Sequence, residues 1–99
     1  MESRELAARL VAARRPGAAP LAPDDAAMPR DLAAAYRVQD AVVRLTAAGG
    51  QGRPWGWKVA VASPAAQRWH KVAEPARGRM FAGGLRQSPA RLPAGRWRP

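Results

Sequence analysis

A lysine whose side chain can take part in binding or catalysis lies in the middle of this chain, between an aromatic residue and a short apolar run. It is Lys58, within the segment Trp55-Gly56-Trp57-Lys58-Val59-Ala60-Val61. A lysine in such a setting can pair with the carboxylate of a bound ligand. It can also extend from a strand edge into solvent while its methylene groups cover apolar neighbours. From the residues alone, the second interpretation is favoured.

Ser63 follows the lysine segment and stands directly before Pro64. Serine at the N-cap with proline at the first helical position is a strong signal for the start of a helix. We therefore predict a helix that runs to about His70. Gln67, inside this helix, is expected to lie at the surface or to pack against the helix rather than to bind a ligand.

Two further helices are predicted before the lysine segment. The first runs from Ser3, as N-cap, to Arg15 and stops at Pro16-Gly17. The second runs from Leu32 to about Ala47 with Asp31 as its N-cap, and a glycine-rich turn ends it. At helical spacing one face of this second helix collects mostly apolar residues, namely Leu32, Ala35, Tyr36, Gln39, Val42 and Val43.

Two short strands complete the prediction, at Trp57–Val61 and Arg79–Phe81. The predicted fold class is therefore α+β: N-terminal helices, then a strand-helix-strand segment. Residues 1–82 form the folded part, and residues 83–99 form an Arg/Pro/Gly-rich tail that is expected to be poorly ordered. Because large apolar residues are few, the core is expected to be thin, with tryptophans 55, 57 and 69 filling it or an interface rather than forming a stacking platform. Gly78 is expected to serve a turn.

The chain is strongly basic, with 17 Lys+Arg against 7 Asp+Glu and a net charge of +10 over 99 residues. Such a balance raises nucleic-acid binding as a hypothesis. The arginines are scattered rather than clustered on one helix face, and arginine with abundant alanine, glycine and proline is also typical of GC-rich coding sequence. The sequence has no cysteine, which excludes disulfide and thiolate chemistry. It also has no apolar run of the roughly 20 residues that a membrane span needs.

Three segments in the same order and spacing resemble the N-terminal part of the 2-keto-4-pentenoate hydratase family, a branch of the fumarylacetoacetate hydrolase superfamily. A fourth, weaker match follows at residues 88–95, and together they correspond to well under half of a full-length family member. The three segments are Ala34-Ala35-Tyr36-Arg37-Val38-Gln39-Asp40-Ala41, Gly56-Trp57-Lys58-Val59 with Ser63 and Gln67, and Glu74-Pro75-Ala76-Arg77-Gly78-Arg79-Met80-Phe81.

The resemblance implies a hydro-lyase that adds water to an unsaturated 2-oxo acid in aromatic catabolism. It also implies a divalent cation, Mg²⁺ or Mn²⁺, which in the family is held by a Glu-x-Glu pair and a third acidic residue. On this resemblance Lys58 is the predicted catalytic residue and Ser63 the predicted substrate-binding residue. The fold is then expected to be an incomplete piece of a larger, β-rich hydratase fold.

The sequence departs from the family where the metal ligands should stand. The only acidic residue after Asp40 is Glu74, and the chain ends at Pro99, about where the Glu-x-Glu pair is expected. No metal-binding residue is therefore predicted in this chain. We expect a truncated relative of a hydratase, inactive alone and cytoplasmic.

Two other functions stay open. The alternative is a small basic nucleic-acid-binding protein, which the charge and four tryptophans favour but which lacks any recognisable nucleic-acid motif. In the third interpretation, residues 1–81 dock on a separately encoded catalytic half. The expected partners are a small 2-oxo acid, and either further copies of the chain in a homo-oligomer or such a complementary half. A membrane is excluded as a partner, and nucleic acid is held less favourable than the 2-oxo acid.

Overall fold

The computed structural model describes residues 3–22 and 27–92 and has the α+β architecture that the sequence predicts. Two strands pair antiparallel in a two-stranded sheet, and the last helix lies in the connection between them. None of the helices in the described ranges is long and apolar enough to cross a membrane. In chain order the elements are α1 (Ser3–Ala13), α2 (Leu32–Thr46), β1 (Pro54–Ala60), α3 (Pro64–His70) and β2 (Ala76–Phe81).

Helix α1 ends two residues before the predicted Arg15, because its last turn tightens. The amides of Arg14 and Arg15 each donate to a carbonyl three residues back, at 3.1 and 3.2 Å, which is 3-10 rather than α geometry. Ser3, predicted as the cap, already belongs to the helix. The predicted cap of α2 is confirmed, since Asp31 Oδ1 accepts the Ala34 amide at 2.7 Å.

Helix α2 ends at Thr46, and a π-helical turn continues to Gln51. The chain then leaves through glycines with positive φ, +95° at Gly50 and +79° at Gly52. Only glycine adopts these angles without steric cost, so the glycine-rich turn predicted here sets where the helical segment stops.

The core lies between α1 and α2 and is thin, as expected. It consists of five buried residues with Leu10 and Val11 packed beside them, and no large side chain of the described chain is fully buried. The predicted apolar face of α2 divides in two: Val42 packs on α1, whereas Tyr36 and Gln39 turn towards β2. The buried residues are Leu6, Ala7, Val38, Ala41 and Val42.

The tryptophans do not fill this core. Trp55, Trp57 and Trp69 are 50%, 55% and 82% exposed. The core interpretation was wrong because the helical pair forms its own core, and these three rings lie outside it. An interface role for these rings stays a prediction.

Both strands are longer than predicted. β1 starts three residues earlier, at Pro54, and β2 starts at Ala76 instead of Arg79. Proline is tolerated at the first position of a strand, where its missing N–H leaves no ladder bond unmade in the strand interior. Gly78 lies inside β2 opposite Lys58, so the predicted turn at this glycine was wrong.

The predicted tail is described only in part. After a 3-10 turn at Ala82–Gly84, residues 85–92 contain no helix or strand. Residues 93–99 lie outside the described residues. The expected poor order of this tail stays a prediction.

Candidate functional site

The predicted site residue Lys58 lies on the β-ribbon, the name used here for β1 and β2 together. The register pairs Trp57 with Arg79, Lys58 with Gly78 and Val59 with Arg77. Because side chains alternate along a strand, the ribbon has two different faces. We call one the lysine face (Gly56, Lys58, Ala60, Ala76, Gly78 and Met80) and the other the arginine face (Trp57, Val59, Arg77 and Arg79).

Lys58 is exposed, and its neighbours on the lysine face leave open space beside its side chain. Its cross-strand partner is Gly78, where an added Cβ would meet no atom within 4 Å. The other neighbours on the lysine face are mostly glycine and alanine, which leaves room beside the ammonium group. No carboxylate of the described residues pairs with it. The position can therefore accept an anionic ligand from solvent.

Ser63, the predicted substrate-binding residue, caps α3. Its Oγ accepts the amide of Ala66 at 3.1 Å, and Pro64 opens the helix as predicted. This hydrogen bond satisfies one of the free amides of the first turn. The capping role is thus shown, and contact of Ser63 with a substrate stays a prediction.

The segment between Lys58 and Ser63 is held in an unusual conformation. Val61 has φ of +57°, a region that β-branched residues rarely enter. The Gln67 side chain donates to the carbonyls of Val61 and Ala62, at 3.2 and 3.4 Å, and so ties this segment to α3. Gln67 is a helix-packing residue, as predicted. The strained backbone at Val61 was missed, since nothing in the local sequence signals it.

Helix α2 fixes the outer edge of β2. The Arg77 amide donates to Tyr36 Oη at 3.1 Å, and Gln39 Nε2 donates to the Arg77 carbonyl at 2.9 Å. Both backbone groups of an edge-strand residue are thereby satisfied, which also blocks this point against a further strand. The two side chains are spaced by three residues, so they share one side of the helix.

The three segments that carry the family resemblance therefore meet. The Tyr36/Gln39 side of α2 binds the backbone of Arg77, and β2 pairs with the strand that carries Lys58. Their matching order in the sequence corresponds to one contiguous structural unit.

Arginine–aromatic stacking marks the arginine face. The Arg79 guanidinium lies 3.9 Å from the centre of the Trp57 ring, and that of Arg77 lies 4.1 Å from the centre of Tyr36. Neither arginine has a carboxylate partner among the described residues. The face thus combines aromatic surface with positive charge, a combination that the scattered positions of arginine in the sequence did not reveal.

The described residues do not fit the divalent cation that the resemblance implies. Mg²⁺ and Mn²⁺ need several oxygen ligands, chiefly carboxylates. Within residues 3–22 and 27–92, no three histidine, cysteine or acidic side chains come close enough to hold an ion together. The acidic residue nearest in sequence to β2 is Glu74, which is exposed and stands alone in that part of the chain.

Three open clefts lie along the pair α1 and α2, and neither Lys58 nor Ser63 lines any of them. Substrate sites of enzymes are usually concave, since a cleft excludes water and surrounds the ligand. The lysine face is open instead. It therefore has the form of a contact surface rather than of an enclosed active site.

Comparisons with protein-family models, with curated proteins and with solved structures found no match. The functional assignment therefore depends on the residues and the geometry of this chain.

Proposed function

We propose that this chain is a hydratase-like module, related to the N-terminal part of 2-keto-4-pentenoate hydratases, that presents Lys58 to the carboxylate of a small unsaturated 2-oxo acid. The observation that carries the proposal is the meeting of the three resembling segments through Tyr36, Gln39 and Arg77. Lys58 lies one residue along from this point, on the paired strand. In this proposal Ser63 lies at the margin of the substrate surface.

The open space beside Lys58 supports contact with a carboxylate. Gly78 leaves space opposite the lysine, and the ammonium group has no carboxylate partner in the described residues. Exposed ion pairs contribute only about 0–1 kcal/mol. Binding through Lys58 alone is therefore weak.

The chain alone does not turn over substrate in this proposal. Hydration of a conjugated 2-oxo acid needs water delivered to the double bond and stabilisation of the enolate, and the described residues supply one cation on an open face. In this proposal the Mg²⁺ or Mn²⁺ site and the residues that enclose the substrate belong to a complementary catalytic half. A cytoplasmic location is part of the same proposal.

The test has an activity arm and a binding arm. With Mg²⁺ and a 2-hydroxydienoate substrate, the purified chain should show no hydration above the uncatalysed rate. Ligand-observed NMR with 2-oxopent-4-enoate should detect binding that Lys58→Met abolishes. Lys71→Met is the matched control, since Lys71 is the only other lysine and lies at the far end of α3.

Measurable turnover would contradict the inactive-alone part of the proposal. Loss of binding in both lysine variants, or in neither, would contradict the role of Lys58.

A further inference from the structure

We propose that the arginine face of the β-ribbon, together with the neighbouring Trp55, binds single-stranded nucleic acid. This surface lies on the opposite side of the ribbon from Lys58 and does not depend on 2-oxo acid binding. This surface combines three properties of the described residues: positive charge without compensating carboxylates, exposed aromatic rings, and arginines stacked flat against rings.

Positive charge on the ribbon is uncompensated. Residues 53–60 and 76–81 contain no acidic residue and carry four cations. The whole chain adds to this field with a net charge of +10. A polyanion approaching the ribbon gains from every contact and meets no repelling carboxylate on the strands. The four cations are Arg53, Lys58, Arg77 and Arg79, of which Arg77 and Arg79 lie on the arginine face.

The aromatic rings are available for stacking. Trp57 is 55% exposed although Arg79 stacks at 3.9 Å from its ring centre. Trp55, 50% exposed, is the extra residue of a bulge between Pro54 and Gly56, and bulges redirect the side chain that they carry. Successive bases of a single strand stack on such rings, and each stack contributes roughly 1–3 kcal/mol.

The arginines are positioned before a ligand arrives. Stacking on Trp57 and Tyr36 fixes the planes of the Arg79 and Arg77 guanidinium groups. Their N–H groups are then oriented for phosphate oxygens at a smaller loss of side-chain entropy. The Nε of Arg79 is buried, so among its guanidinium nitrogens only the terminal ones are candidates for phosphate contact.

The same observations select one class of partner. A second copy of the chain carries the same charge of +10 and is repelled. An acidic peptide satisfies the arginines but makes no use of a flat exposed indole. In a duplex the bases are stacked on each other, so the rings of Trp55 and Trp57 have nothing to stack on. An unpaired strand satisfies both the charge and the rings.

The experiment is fluorescence anisotropy of a labelled 15-nucleotide oligothymidylate, titrated with the full chain between about 50 and 200 mM salt. Trp57→Ala should weaken binding roughly 5- to 150-fold, which is the loss of one base stack. Trp69→Ala is the matched control: this ring is 82% exposed but lies on α3, away from the ribbon, and its loss should leave affinity unchanged.

The contribution of the arginine charges to oligonucleotide binding is tested separately. Arg79→Gln should weaken binding and lower the slope of log affinity against log salt by about 0.7, the value for one phosphate contact of a single strand. Arg68→Gln, an exposed arginine on α3, should change neither. If Trp57→Ala disturbs the circular dichroism spectrum, Trp57→Phe should retain most of the affinity while Arg79→Gln still loses it.

Three results would overturn the proposal. They are absence of oligothymidylate binding at 50 mM salt, equal losses in the Trp57 and Trp69 variants, and equal or tighter binding of a 15-base-pair duplex. Polyglutamate that competes at equal charge with the same dependence on Trp57 would assign the surface to an acidic protein instead.

Discussion

At the scale of single residues, Gly83 has the least space for a side chain among the described glycines. A Cβ added there would lie 2.6 Å from the carbonyl oxygen of Gln51 and 3.1 Å from its carbonyl carbon. Both are backbone atoms, so no side-chain rotation relieves the clash. This contact joins the turn after β2 to the turn after α2 and helps to hold the ribbon beside the helices.

Gly83→Ala should therefore lower the free energy of unfolding by about 1–3 kcal/mol, the usual cost of forcing extra volume into a packed position. Gly84→Ala is the control, because a Cβ at Gly84 meets nothing within 4 Å. That variant should be neutral or up to about 1 kcal/mol more stable. Urea denaturation measures both, and equal effects at the two glycines would contradict the close approach to Gln51.

Val61 is the second position where the backbone conformation determines how a substitution changes the free energy of unfolding. Its φ of +57° costs a β-branched residue on the order of 1–3 kcal/mol, and asparagine tolerates this region better. Val61→Asn should raise the free energy of unfolding by about 0.5–1 kcal/mol. Val59→Asn, at a 61% exposed position inside β1, should instead lower it, because asparagine disfavours strands. Thermal unfolding compares the two, and stability changes of the same sign would count against strain at Val61.

At the scale of elements, the ribbon is attached to α2 through the edge of β2. The attachment is two hydrogen bonds to Arg77, from Tyr36 at 3.1 Å and Gln39 at 2.9 Å, supported by the Arg77–Tyr36 stack. An edge strand with free backbone groups would otherwise be open to pairing. The orientation of the Lys58 strand relative to the helices thus depends on side chains of α2.

Tyr36→Phe should speed hydrogen exchange of the Arg77 amide roughly 2- to 12-fold, since a net hydrogen bond contributes about 0.5–1.5 kcal/mol. Gln39→Ala removes the bond to the Arg77 carbonyl but leaves the amide its acceptor, so its effect on this amide should be smaller. Exchange measured residue by residue by NMR gives both values. An Arg77 amide that exchanges as in the wild type in the Tyr36 variant would contradict the docking geometry.

The sequence predicted well some of the features of the fold that depend on local signals. The caps Asp31 and Ser63 and the extent of α3 depend on residues within one turn, and all agree with the structure. The starts of β1 and β2 depend on pairing between strands, so periodicity placed each of them three residues late. Which side of α2 packs on α1 depends on tertiary contacts, since the helix has one apolar set for α1 and another for β2.

The sequence predicted which residues are candidates for the site, but not the arrangement of side chains around them. Lys58 and Ser63 were chosen from sequence and resemblance, and the structure gives Ser63 its cap bond and Lys58 an exposed place opposite Gly78. The two arginine–aromatic stacks join residues that are 22 and 41 positions apart in the chain. No spacing rule for a helix or strand brings such residues together, which is why the arginine face was not predicted.

At the scale of the whole molecule, the chain exposes more surface than its mass requires. Its accessible surface is 8123 Å², whereas a folded monomer of its mass, 10.6 kDa, exposes about 5,500 Å². The helical core is small, and much of the ribbon is exposed, although Tyr36 of α2 stacks on Arg77 of the arginine face. Little apolar area is therefore removed from water, and this limits the stability of the isolated chain.

The free energy of unfolding of the isolated chain should accordingly lie at or below about 5 kcal/mol, the lower end of the range for natural domains. Urea denaturation followed by circular dichroism measures it. Because the tryptophans at 55, 57 and 69 are already exposed, their fluorescence should change little on unfolding. A free energy above about 10 kcal/mol would contradict the thin core.

We propose Lys58 as the contact for a 2-oxo acid carboxylate. The chain has only two lysines, so the ε-methylene signals of Lys58 and Lys71 can be followed individually by NMR after ¹³C labelling. On titration with 2-oxopent-4-enoate, the Lys58 signal should move and saturate while the Lys71 signal stays in place. Equal, non-saturating movement of both signals, or movement of neither, would contradict the claim.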